Sequence, residues 1–118
     1  MADTAAPDPP VSSEFVLVLV TVPDSEIAHR ISNVLVGEKL AACVNIVPGI
    51  RSVYAWKGEI CNEGELQCLI KTRRSLFAVV RGRVKDLHPY QVPEIVALPL
   101  VEGNAEYLEW LRDNTRES

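Results

Sequence analysis

Residues 41–60, AACVNIVPGIRSVYAWKGEI, decide how this chain folds. From Ala42 through Val47, and past Pro48-Gly49 through Ile50, Val53, Tyr54 and Trp56, apolar and β-branched residues recur at strand spacing. Pro48 has no amide to donate, so it predicts a bulge or kink there and not a clean end. A strand running the length of 41–60 exceeds the usual five or six residues several-fold. It overruns its own sheet and needs something beyond that sheet to pair with.

The flanking sequence supplies the rest of the sheet. Upstream, Phe15 to Val22 (FVLVLVTV) is continuous, β-branched and apolar, the pattern of a strand buried on both faces. Asp24 or Ser25 caps a helix whose apolar stripe is Ile27, Ile31, Val34 and Leu35 and which ends near Gly37 to Lys39. Downstream, Cys61-Asn62-Glu63-Gly64 reads as a hairpin turn. A third strand with Leu66, Cys68 and Ile70 on one face then runs to about Thr72. Ser75 is the expected cap of a second helix bearing Leu76, Val80, Val84 and Leu87, stopped by His88-Pro89. Residues 95–101 (IVALPLV) read as a two-sided strand that Pro99 places at an edge or bulge. Gly103-Asn104 opens a last helix with Tyr107, Leu108 and Leu111 on its inner face.

The order β-α-β-β-α-β-α defines an α+β, ferredoxin-like fold: one antiparallel sheet, both crossover helices on the same face, and an additional C-terminal helix. Two crossover helices cover one side of the sheet, yet strands one and four are apolar on both. Each buried Val or Leu is worth roughly 1.5–3 kcal/mol, so the uncovered face predicts that another subunit packs on it.

Length and composition set the class. At 118 residues there is one domain, here residues 15–118, behind an acidic segment, 1–14 (MADTAAPDPPVSSE), that reads as a disordered tail. A content of 47% hydrophobic and 24% charged residues is that of a soluble globular domain. The net charge of −4 and the pI near 5.1 argue against nucleic acid as a partner. The basic run Lys71, Arg73, Arg74, Arg81, Arg83, Lys85 lacks interleaved aromatics and reads as a solvated face. No apolar run reaches the roughly 20 residues of a membrane span. Three cysteines, Cys43, Cys61 and Cys68, with no Cys-x-x-Cys spacing, point to a reducing compartment. Residues 1–29 carry no Lys or Arg, so no targeting segment is read there; the cytoplasm is expected, or an organelle stroma if such a segment has been removed.

For chemistry the residues offer few groups. Cys43 and Cys68 fall in strand patterns as small buried hydrophobes, and His29 falls on a solvated helix side. His88 ends a helix, is held between Leu87 and Pro89, and stands beside Tyr90; it serves either as a cap or as a ligand. Tyr54, Trp56 and Lys71 are expected to face one another across the hairpin, an aromatic wall with an ammonium, lining a ligand cleft or forming an interface anchor. With no nucleophile elbow, phosphate loop or dinucleotide fingerprint, the chain is not read as an enzyme.

The blocks VTVPD (20–24 as Val20-Thr21-Val22-Pro23-Asp24), EKLAACVNIVPGIRSVYAWKGEI, LIKTR, HPYQVPEIVALPL and YLEWL together resemble the CutA family, the divalent-cation tolerance proteins, with a close that is similar to plant-type members. The resemblance spans nearly the whole domain. It implies a homotrimer whose long second and third strands reach neighbouring subunits, with divalent metal ions as partners, copper first, and no cofactor required for folding. Copper ligands implied by the bacterial members fall at Val20, at Leu87 and at His88, so His88 alone carries over. Three readings follow: a trimeric copper-binding tolerance protein responding to metal ions; a small-molecule sensor with an anionic ligand near Tyr54, Trp56, Lys71 and Tyr90; or a trimeric scaffold for another protein.

Overall fold

The computed structural model describes residues 13–117, and the expected tail therefore lies outside the described residues except for its last two positions. Those two are part of the fold. Ser13 Oγ donates to the Leu100 carbonyl at 2.6 Å, and Glu14 pairs with Arg112 at 2.8 Å.

Among the described residues four strands and three helices follow in the expected order: β1 (Phe15–Val22), α1 (Ser25–Gly37), β2 (Cys43–Trp56), β3 (Glu59–Arg73), α2 (Phe77–Leu87), β4 (Val96–Pro99) and α3 (Ala105–Asp113). The sheet is antiparallel throughout, in the order β2-β3-β1-β4. Asp24 caps α1 by accepting from the Ile27 amide at 2.9 Å, and Asn104 caps α3 through the Glu106 amide at 3.1 Å. Ser75 does not cap α2. It lies inside a short 3-10 turn, Arg74–Leu76, that leads into the helix without a side-chain cap.

Register explains both faces of the sheet. Directly paired residues share a face, so Val16, Val18, Val20 and Val22 lie with Thr72, Ile70, Cys68 and Leu66 under α1 and α2. There Ile31, Leu35, Leu76, Val80 and Val84 complete a fully buried core. The opposite face carries Leu17, Leu19, Leu69, Val96 and Leu98. Among the described residues only its far end is covered: α3 packs Leu111 onto Phe15 and Ala42. The two-sided sheet and its open face are thus present in the chain.

Three expectations need correction. The long segment is not one strand to Ile60, and the hairpin does not turn at residues 61–64. It turns at Lys57-Gly58, with φ of 50° and 80°, between Trp56 and its partner Glu59. A two-residue loop with both central residues at positive φ matches the strand twist, and Gly58 takes the second position without strain. Residues 61–64 continue β3. Finally, β4 is shorter than 95–101 and all four of its residues are exposed, because as an edge strand it pairs only with β1.

The kink at Pro48-Gly49 is a bulge: Val47 pairs with Gln67 and Ile50 with Glu65, leaving two residues opposite one, with Gly49 at φ 76°. One extra residue reverses the alternation of everything beyond it. Val44 and Ile46 face the helices, whereas Ser52, Tyr54 and Trp56 face the open side with Glu65 and Gln67. Past Leu66 the hairpin has no β1 beside it and projects as a two-stranded arm. The Cα radius of gyration is 16.6 Å, against about 13 Å for a compact chain of this length.

Candidate functional site

Where the arm leaves the sheet, a cleft of about 720 Å³ opens on the uncovered face. One wall is the arm itself, with Ser52, Tyr54 and Trp56; the other is the loop Pro89–Glu94 that follows α2; Thr21 and Glu65 lie between them. Its size is that of a small-molecule site.

Tyr90 and Glu65 join the two walls. The Tyr90 hydroxyl donates to Glu65 Oε2 at 2.6 Å, and Glu65 is only 5% exposed. Burial, then the Glu65 carboxylate, pushes the Tyr90 phenol well above its ordinary range, so it stays a proton donor. Burial first and Glu63 second raise the Tyr54 phenol as well. At the rim Glu94 accepts a long contact, 3.5 Å, from Gln67 Nε2. Arg51 also lines the cleft, but its guanidinium is bound to Asn62, with Nε 2.7 Å from the side-chain oxygen.

His88 sits behind the loop, 8% exposed, and both its nitrogens are engaged. Nε2 donates to the Thr21 carbonyl at 2.7 Å, and Nδ1 accepts from the Tyr90 amide at 3.2 Å. The ring lies 4.7 Å from that of Tyr90. These bonds fix the neutral tautomer carrying its proton on Nε2. They fasten the end of α2 to β1 and aim Tyr90 at Glu65.

Of the residues singled out from sequence, Tyr54, Trp56 and Tyr90 line this cleft and His88 supports it. Lys71 does not join them. It pairs with Cys43, ten positions along β3 from Cys61, the partner of Tyr54, or about 33 Å of extended strand. Its ammonium lies 5.7 Å over the Tyr107 ring of α3 instead. The expected facing of Lys71 with Tyr54 and Trp56 fails because the hairpin turns at Lys57-Gly58, which sets their partners at Cys61 and Glu59. Glu65 is the residue the sequence reading passed over. Its signal was faint: a carboxylate two positions before Gln67 in an alternating strand ordinarily faces water.

Among the described residues no three His, Cys, Asp or Glu side chains converge, and the His88 lone pair is already taken by the Tyr90 amide. The three thiols are free, and burial pushes the Cys68 thiol up, away from the ligating thiolate.

The split β-α-β sheet with its projecting arm and side cleft defines the class: a ferredoxin-like α+β subunit with a third helix folded onto its open face. A family model described as "CutA1 divalent ion tolerance protein" matches residues 16–114, and the chain belongs to that family. It is 59% identical over 99 residues to the "Divalent-cation tolerance protein CutA" of Thermus thermophilus, covering 84% of this chain and 96% of that protein. It is 52% identical over 103 residues to "Protein CutA 1, chloroplastic" of Oryza sativa, where it spans 87% of this chain but 58% of the rice protein. Among solved structures, "Crystal structure of CutA1 from Oryza sativa" superposes with a TM-score of 0.87 at 50% identity, covering 90% of this chain and 97% of that one. The solved divalent cation tolerance protein of Thermus thermophilus gives 0.84 at 57% identity, covering 86% and 99%. No helix among the described residues is long and apolar enough to cross a membrane.

Proposed function

We propose that this protein serves divalent-cation tolerance as a homotrimer, meeting cations through sites that more than one subunit completes and holding a small ligand in the cleft beside the arm. The observation that carries this reading is the arm. Val53 and Ile60 are exposed on it, Ile60 by 76%, and Val96 and Leu98 are half exposed on the open sheet face. A lone chain leaves this apolar surface in water; a neighbouring subunit's sheet and arm cover it. Copper is the ion the family resemblance puts first, and a ligand set divided among subunits gains from their proximity. The free cysteines fit a reducing compartment, cytoplasm or stroma, in keeping with the relative from rice that is named chloroplastic.

Light scattering on the purified protein tests the assembly and should return three times the 13.1 kDa chain mass. A folded monomer at micromolar concentration rejects it. Copper titration against a competing chelator then tests the site: saturable binding by the trimer, lost in a folded variant that no longer assembles, supports a shared site. Binding retained by the monomeric variant, or none by the trimer, overturns it.

A further inference from the structure

We propose that the cleft between the arm and the 89–94 loop is a site for a small organic ammonium ion, held by the Glu65 carboxylate within the aromatic walls of Tyr54, Trp56 and Tyr90. This deepens the ligand-cleft reading above and rests on it. Lys71, the ammonium expected to make the cleft suited to anions, is at the other end of β3. What remains among the described residues of one chain is acidic: Glu65 at the floor and Glu94 at the rim, against one guanidinium already bound to Asn62.

Glu65 is the centre of the site. A nearly buried carboxylate costs several kcal/mol unless it is paired, yet among the described residues no Lys, Arg or His forms an ion pair with it. Among the described residues its side-chain partner is the neutral Tyr90 hydroxyl on Oε2. Glu65 itself lines the cleft, which puts its carboxylate within reach of a ligand held there. Three aromatic rings line the same space, two of them on the face that the Pro48-Gly49 bulge turned toward it. Faces of Tyr and Trp attract cations, more strongly as water is excluded. A carboxylate plus aromatic faces is the recognition chemistry of an alkylammonium group, and it disfavours a carboxylate ligand. Among the described residues no third His, Cys, Asp or Glu joins Glu65 and Glu94 to hold a bare metal ion, which needs several ligands.

The test uses the full chain carrying Trp110→Phe, which leaves Trp56 as the one tryptophan of the two in the sequence. Benzylammonium should quench Trp56 fluorescence saturably, and benzoate, its near-isosteric anion, should not. Glu65→Gln should weaken benzylammonium by about tenfold or more while the particle mass stays unchanged. Tyr90→Phe keeps the carboxylate and frees its Oε2, so binding should persist or tighten; it serves where Glu65→Gln does not assemble. Equal response to benzoate, no response to either, or unchanged affinity in Glu65→Gln overturns the proposal, as does a cleft found filled by a neighbouring subunit. A trimer that ignores benzylammonium rejects only this inference, whereas a monomer rejects the assembly.

Discussion

His88 joins three parts of the molecule through one ring. Its Nε2 proton goes to the Thr21 carbonyl on β1, its Nδ1 takes the Tyr90 amide, and its own backbone amide closes the last turn of α2 on Val84 at 2.9 Å. Truncation removes the His88 donor from the half-buried Thr21 carbonyl, and His88→Ala should lose about 1–3 kcal/mol in urea unfolding. Because both ring nitrogens are engaged inside the subunit, copper affinity in the folded variant should stay within about twofold of the parent, well under the tenfold that 1.4 kcal/mol makes. A folded His88→Ala that loses copper binding would show that the imidazole leaves Thr21 or Tyr90 to bind the ion. Sequence placed His88 at the helix end and beside Tyr90; its partner Thr21 lies 67 residues away and no local pattern names it.

The β2-β3 arm depends on two glycines of opposite legibility. Pro48-Gly49 announces its bulge, because proline cannot serve a ladder and glycine accepts positive φ. Lys57-Gly58 does not announce its turn, since lysine at the first position hides the usual Asn-Gly or Asp-Gly signal. Either glycine, given a Cβ, meets no atom within 4 Å, so the cost of substitution is conformational. Gly58→Val should therefore destabilise by about 1–2 kcal/mol without a clash, read as a lower urea midpoint; an unchanged midpoint would mean the turn is not formed as described. Ser75 shows the reverse error. A serine before an apolar stripe reads as a cap, but the 3-10 turn at Arg74–Leu76 carries it into the helical coil.

At the scale of the whole molecule, exposed apolar surface and paired charges act in different places. Ile60 on the arm is the most exposed of the large hydrophobic residues on β2 and β3. Ile60→Asp should shift the light-scattering mass from trimer toward monomer, since each subunit loses up to about 1.5–3 kcal/mol of burial and gains a charge to desolvate. A trimer unchanged by Ile60→Asp would place the arm outside the interface. The charges work within the chain: Arg83 on α2 holds the Glu38 carboxyl below its ordinary range, and Arg112 does the same for Glu14, tying α3 to the start of β1. Carboxyls so lowered stabilise the fold above the unfolded glutamate range, and that contribution is lost as pH falls through their folded values. The melting temperature should thus hold near neutrality and drop below about pH 4, more shallowly in Glu38→Gln. An identical acid profile in Glu38→Gln would show that its pair with Arg83 is not populated in solution.

What sequence alone determined is what neighbouring residues encode. Strand and helix periods, the helix starts at Asp24-Ser25 and at Gly103-Asn104, the kink at Pro48-Gly49 and the two apolar faces of β1 are all local patterns. They were enough to reach the ferredoxin-like sheet and its uncovered side. Only the tertiary structure decided which side chains meet in the cleft. The hairpin register sent Lys71 away from Tyr54 and Trp56, and packing brought Tyr90 to Glu65 across 25 positions of chain. Register depends on where a strand turns and on each extra residue within it, so a single bulge reassigns a whole face. Glu65 is buried for that reason, by partners distant in the chain, and its burial is what gives the cleft its charge.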